Sequence, residues 1–219
     1  MKKTAVIAIC LSFFYLVNLA WGEEDFQKTT RLAKSGDAEA QFNLGNMYSD
    51  GEGVPQNNAE AMNWFKKAAE QGYAKAQLNL GFMYVQGQGA PQNNAEAMNW
   101  FKKAAEQGDA RAQFNLGQMF SQGQGVPQNN AEAIKWYSKA ANLGYTKAQF
   151  NLGFRFYKGV GVPKDVIKTY VWWSVASASG NERAKRNLEI LRSEITPKQV
   201  AQGQNEAAEL RKKIKNLNK

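Results

Sequence analysis

Residues 73–108 read YAKAQLNLGFMYVQGQGAPQNNAEAMNWFKKAAEQG, and close copies of this 36-residue stretch stand on either side of it. Pro55, Pro91, Pro127 and Pro163 mark the step, each preceded by a Gly-x-Gly turn. A period of this length belongs to stacked architectures in which no single unit buries its own apolar face and each relies on its neighbours. The sequence therefore predicts an all-α fold, an α-solenoid of stacked antiparallel helix pairs, built to present a surface.

Aligned on the prolines, the four repeats are 37–72, 73–108, 109–144 and 145–180. In the first helix of each, positions such as Ala40, Leu44 and Tyr48 fall at four-residue spacing on one inward face. Gly45, Gly81, Gly117 and Gly153 sit inside these helices, where glycine costs about 1 kcal/mol relative to alanine. Close approach of two helices is the expected return. Gly51-Glu52-Gly53-Val54-Pro55 and its copies then end the first helix, because glycine permits positive φ and proline resists continuation. Asn57 with Glu60, Asn93 with Glu96 and Asn129 with Glu132 form capping-box patterns that start the second helix. Ala61, Trp64, Phe65, Ala68 and Ala69 make its apolar stripe. Trp64, Trp100, Trp136 and Trp172 share one register and are read as core wedges in preference to ligand-stacking platforms.

These residues resemble the Sel-1-like repeat, a relative of the tetratricopeptide repeat. Its unit reads Ala-x-x-x-Leu-Gly-x-x-Tyr, then Gly-x-Gly, then Ala-x-x-Trp-x-x-x-Ala-Ala-x-x-Gly. Ala76, Leu80, Gly81, Tyr84, Gly87 and Gly89 satisfy the first part in the second repeat. Ala97, Trp100, Ala104, Ala105 and Gly108 satisfy the rest. The resemblance covers 37–180 and implies a right-handed superhelix of four repeats between capping helices. It also implies a scaffold for protein–protein or protein–peptide interaction, in bacteria within the cell envelope or at a host interface. Segment 23–36 reads as the N-terminal capping helix. Segment 181–219 reads as a partial repeat, retaining Ala184 and Leu188 but with Glu189 at the glycine position, followed by a final helix opened by Thr196-Pro197-Lys198-Gln199.

Residues 1–22 differ from the rest: Lys2 and Lys3, an apolar run from Ala5 to Val17, then Ala20-Trp21-Gly22. This is the pattern of a cleavable signal peptide with a cut after Gly22, and it predicts a periplasmic or secreted protein. The apolar run falls short of the ~20 residues that cross a bilayer, so no integral span is expected in the mature chain. A retained anchor is the competing reading, and Cys10 also invites comparison with a lipoprotein cysteine, although bulky Ile9 precedes it. Cleavage removes Cys10, the single cysteine, and lowers the formal charge from +9 to +7, with 26 basic against 19 acidic residues. Basic character favours anionic partners, and export argues against nucleic acid.

The repeats also differ informatively. Pro55 to Gly72 and Pro91 to Gly108 are identical, so the differences between those two repeats fall in the first helix and turn. On the exposed side of the first helices runs a stripe of Glu39, Asn43, Asn46; Lys75, Asn79, Phe82; Arg111, Asn115, Gln118; and Lys147, Asn151, Phe154. In tetratricopeptide-like stacks this side lines the concave groove. Asn43, Asn79, Asn115 and Asn151 read either as an amide ladder along an extended peptide or as hydrogen bonds between adjacent repeats. Lys75, Arg111 and Lys147 are expected to meet acidic groups of a protein or peptide ligand, with Phe82 and Phe154 as apolar anchors that otherwise fill gaps between helices. Arg211, Lys212, Lys213, Lys215 and Lys219 form a second basic region, read as peripheral contact with anionic lipid or glycan or as a solvated helix end.

The chain has no histidine, which removes His-based triads and histidine metal sites, and the mature chain has no thiol. Glu60, Glu96 and Glu132 are accounted for by capping. No catalytic, cofactor or metal-binding residues are assigned, and the chain is read as a non-enzyme. The alternative implied by resemblance is a β-lactam-binding or β-lactamase-like enzyme akin to the cysteine-rich Sel-1-like proteins. The chain departs from them at every bridging cysteine position.

Overall fold

The computed structural model describes residues 24–217. The predicted signal peptide, its cleavage point, Cys10 and Lys219 lie outside that range. No helix of the described residues is long and apolar enough to cross a membrane. All regular structure among them is helical: α1 (24–34), α2 (Ala38–Asp50), α3 (Asn58–Glu70), α4 (Ala74–Gln86), α5 (Asn94–Glu106), α6 (Ala110–Gln122), α7 (Asn130–Asn142), α8 (Thr146–Lys158), α9 (Val166–Ala178), α10 (Glu182–Glu194) and α11 (Pro197–Leu217). The chain forms two compact units, Met1–Trp100 and Phe101–Lys219. Within each, consecutive helices pack as pairs, which is the α-solenoid plan the repeat predicts.

The turn inside each repeat is fixed by backbone chemistry. In the N-terminal unit, Gly51 ends α2 at φ 74° and donates its N–H to the Met47 carbonyl. Six residues later the Asn57 side chain accepts from the N–H groups of Ala59 and Glu60 and starts α3. The expected capping box is only half present, because the Asn57 N–H donates back to the Tyr48 carbonyl at 2.8 Å. That bond ties the start of the second helix to the end of the first. Asn93 to Tyr84, Asn129 to Phe120 and Asp165 to Phe156 repeat it at 2.8–3.0 Å. A complete reciprocal box forms ahead of α11, where Thr196 and Gln199 exchange bonds.

The helical glycine admits a ring. A Cβ on Gly45 would stand 2.6 Å from the Phe65 ring, one on Gly117 2.6 Å from Tyr137, and one on Gly153 2.5 Å from Trp173. The close approach read from the sequence is thus side chain to backbone within one helix pair. It also corrects the expected wedge. Trp64 and Trp100 are buried, but Trp136 and Trp172 are only half-buried, with the Lys139 ammonium 4.1 Å above the Trp136 ring. The ring one position later, at Phe65, Phe101, Tyr137 and Trp173, sits deeper than its tryptophan neighbour, each no more than 2% exposed.

Successive repeats are joined by a buried amide. Gln41, Gln77, Gln113 and Gln149 each donate Nε2 to the carbonyl eight residues earlier, on Ala33, Ala69, Ala105 and Ala141. These acceptors lie in the last turn of the preceding helix, where carbonyls lack intrahelical partners. A second contact joins the turns. Gly89, at φ 77°, lies so near the Asn58 carbonyl that a Cβ would meet it at 2.3 Å, and Gly161 repeats this against Asn130.

At the C-terminal end, α10 lays Ala184, Leu188 and Leu191 against α9 and leaves Glu189 exposed. α11 returns along α9: Ala207 and Ile214 join Val171 and Val175, and Gly203 faces the Tyr170 ring. Arg211, Lys212, Lys213 and Lys215 remain in solvent.

Helix propensity alone makes Gly117→Ala stabilising by about 1 kcal/mol. The ring of Tyr137 reverses the sign, and overpacking should cost a net of about 1–3 kcal/mol, read as a lower urea midpoint at unchanged slope. Gln41→Ala removes both the bond to Ala33 and the one accepted from Gln71. The Ala33 carbonyl keeps the Gly36 N–H, so amide exchange in 24–34 should accelerate by up to about tenfold, reflecting about 0.5–1.5 kcal/mol for the lost hydrogen bond.

Candidate functional site

What the packing leaves over is the outward face of the first helices. In the N-terminal unit Asn43 and Lys75 are exposed and Asn79 and Phe82 half-exposed. Asn79 turns its amide towards Asn46 on the preceding first helix, Nδ2 to Oδ1 at 3.5 Å. In the C-terminal unit Arg111 and Lys147 are exposed, while Asn115, Gln118 and Asn151 are half-exposed. Asn115 donates Nδ2 to its own helix, at the Arg111 carbonyl. The repeated asparagine therefore meets different partners at different positions.

The C-terminal unit gathers the stripe around Phe154, a large apolar side chain 42% exposed. Three open depressions meet at it. The first, about 370 Å³, is lined by Gln118, Ser121, Asn130, Tyr137, Asn151 and Arg155, among others. A second, about 290 Å³, is formed with Phe150, Asn151, Arg183, Arg186 and Asn187. The third, about 230 Å³, includes Tyr157, Trp173, Asn187 and Ile190. Ile190 is 57% exposed, so two apolar side chains stand in solvent among cations and amides.

Three of these residues escaped the sequence reading although the period reaches them. One further step of 36 from Lys147, Asn151 and Phe154 arrives at Arg183, Asn187 and Ile190 on α10. The stripe thus extends beyond the fourth repeat. The partial repeat at 181–193 therefore carries the stripe as well as closing the stack.

Electrostatics distinguish the first depression. Arg155 donates Nη1 to Asn130 Oδ1 at 2.7 Å and Nη2 to the Ser121 hydroxyl, and its guanidinium carbon lies 5.7 Å from the Tyr137 ring centre. Burial pushes the Tyr137 phenol above its ordinary value, against the opposing pull of the Arg155 charge and of hydrogen bonding to Ser121, Arg155 and Asn151. The phenol is therefore neutral at physiological pH. In the third depression the Tyr157 hydroxyl donates to Glu194, whose charge raises the phenol's pKa. Among the described residues no group of three His, Cys, Asp or Glu is placed to hold a metal ion.

A search of curated proteins matches the secretory immunoglobulin A-binding protein EsiB of Escherichia coli O6:H1 strain CFT073, 40% identical over 69 residues, which is 31% of this chain and 14% of that one. Among solved structures, a Sel1 repeat protein from Oxalobacter formigenes is 38% identical with a TM-score of 0.72, covering 78% of this chain and 50% of that one. The protective antigen c5321 of uropathogenic Escherichia coli, which displays an SLR fold, is 34% identical with a TM-score of 0.77, covering 88% of this chain and 41% of that one. This chain spans half or less of each of these relatives. The family model described as Sel1 repeat matches 38–73, 74–109, 110–145 and 146–181 in unbroken succession. With glycine-seated rings and stapled helix pairs recurring on the same period, the chain belongs to the Sel1 repeat family.

Proposed function

We propose that this chain is an exported, non-catalytic scaffold that binds a protein or peptide on the outward face of its first helices. The carrying observation is a pair of solvent-exposed apolar side chains among arginines and amides: Phe154, where three depressions meet, and Ile190, which lines one of them. Exposed apolar anchors ringed by polar groups are the common form of a protein-recognition patch. The contact residues are Asn43, Lys75, Asn79 and Phe82 in the N-terminal unit. In the C-terminal unit they are Arg111, Asn115, Gln118, Lys147, Asn151 and Phe154, extended by Arg183, Asn187 and Ile190.

The cationic members select a ligand bearing acidic groups. The basic leader with its apolar core supports export, and the names of the two Escherichia coli relatives, an immunoglobulin-binding protein and a protective antigen, support an envelope or host-facing role. Phosphate chemistry has no purchase on the Gly-x-Gly segments, which are occupied in turns against neighbouring backbone.

Lys75, Arg111 and Lys147 are all exposed, so the triple variant K75E/R111E/K147E should fold as the parent does, by circular dichroism and Tm. Crosslinking in intact cells, followed by identification of attached proteins, should show the parent's partners lost from the variant. An unchanged partner set would refute this surface as the binding face.

A further inference from the structure

Arg155 occupies the register held by Met47, Met83 and Met119 in the other repeats, and Tyr137 the register held by Phe65 and Phe101. The third helix pair and the one after it have thus exchanged an apolar combination for a polar one. A joint between repeats does not require that change, since this chain builds the same register from Phe and Met elsewhere. The exchange introduces a guanidinium, half-buried, with neutral hydrogen-bond partners in Asn130 and Ser121. No carboxylate among the described residues forms an ion pair with it. Placing a cation in partial burial without a counter-charge costs desolvation that neutral partners only partly offset.

The guanidinium also lines an open depression of about 370 Å³, together with Phe154, Asn151 and Gln118. It has five N–H donors; the bonds to Asn130 and Ser121 use two and the hydrogen bond with the Tyr137 hydroxyl a third, which leaves two for a ligand. Those two bonds, and the Tyr137 ring beside it, fix the planar fork before any ligand arrives. A fixed fork with donors to spare matches the two oxygens of a carboxylate better than a flexible ammonium does.

We propose that Arg155 is a carboxylate subsite of the peptide-binding face, with Phe154 contacting the apolar side chain beside that carboxylate. The subsite rests on the reading of the first-helix face as a binding surface. Its ligand group is either the free C-terminus of a chain or an aspartate or glutamate side chain. Asn151 and Gln118 supply amides for the adjoining peptide backbone.

The test follows the Arg155 Nε–H resonance while the full mature chain is titrated with three small probes. N-acetyl-leucine carries a terminal carboxylate, N-acetyl-glutamate-α-amide a side-chain carboxylate, and N-acetyl-leucinamide none. At least one acid should bind about tenfold or more tightly than the amide, the gain expected when a hydrogen bond becomes charge-assisted. Which acid binds identifies the source of the group. The double variant Y137F/R155M restores the combination found at Phe65 and Met83, so it has a precedent for folding in this chain, and it should lose the discrimination. In that variant binding is followed through backbone amide resonances of α8.

Equal shifts with acids and amide would overturn the subsite in the parent protein alone, whatever the variant does. Discrimination persisting in Y137F/R155M would overturn it too. Intact-cell crosslinking separates this result from the wider reading: partners kept by Y137F/R155M but lost from K75E/R111E/K147E remove the Arg155 subsite and leave the binding face standing.

Discussion

An aromatic ring seated on a helical glycine is the contact from which the rest of each repeat follows. Removing the Cβ at Gly45, Gly117 or Gly153 gives up helix propensity at that position and gains a flat recess in its place. Phe65, Tyr137 or Trp173 fills it almost completely. Because the ring can enter only at one height along the first helix, the pair has a single register. Small residues such as Ala61, Ala68 and Ala69 then lie at the flanks, where larger ones would hold the helices apart. The seated ring varies from Phe to Tyr to Trp while the glycine is constant, so the recess and not the ring's chemistry sets the geometry.

That tolerance is what lets a scaffold position acquire polarity. At Tyr137 the buried ring reaches a polar edge, and the neighbouring first helix answers with Arg155 in place of methionine. The fold bears the exchange because the glutamine staples and the turn bonds hold adjacent helices independently of what fills this register. Gln149 fixes α8 to the end of α7 at Ala141, and Asp165 fixes the start of α9 to Phe156. Chemistry at the surface and cohesion of the stack are therefore carried by different atoms.

The fold was legible because repetition supplies its own alignment. Proline spacing, the Gly-x-Gly turns and the apolar stripes specify the helix pairs, their order and the inward faces. The stripe residues were legible as outward-facing for the same reason, helical geometry leaving them opposite Ala40, Leu44 and Gly45. Other features needed atoms. Whether Trp136 or Tyr137 sits deeper turns on a rotation of one residue, about 100°, which the shared apolar character of both positions does not resolve. The Gln41 staple has no mark in the sequence, since a glutamine acting over eight residues has no pattern distinct from an exposed one. The Arg155 cluster joins residues 25 and 34 apart along the chain, and only stacking brings Asn130, Ser121 and Arg155 together.

The glutamine staple spans eight residues and the turn bond nine, so the joints that define this architecture close over very short stretches of chain. Nothing in such a joint depends on how many follow it. A block of one period can be copied or deleted without rethreading a core, because the new ends present the same amide and the same carbonyl as the old. The verbatim duplication from Pro55 to Gly72 and from Pro91 to Gly108 is the kind of record this leaves. Length, in a protein assembled this way, becomes a quantity that evolution can adjust in steps, with the reach of the molecule changing while its local physics does not.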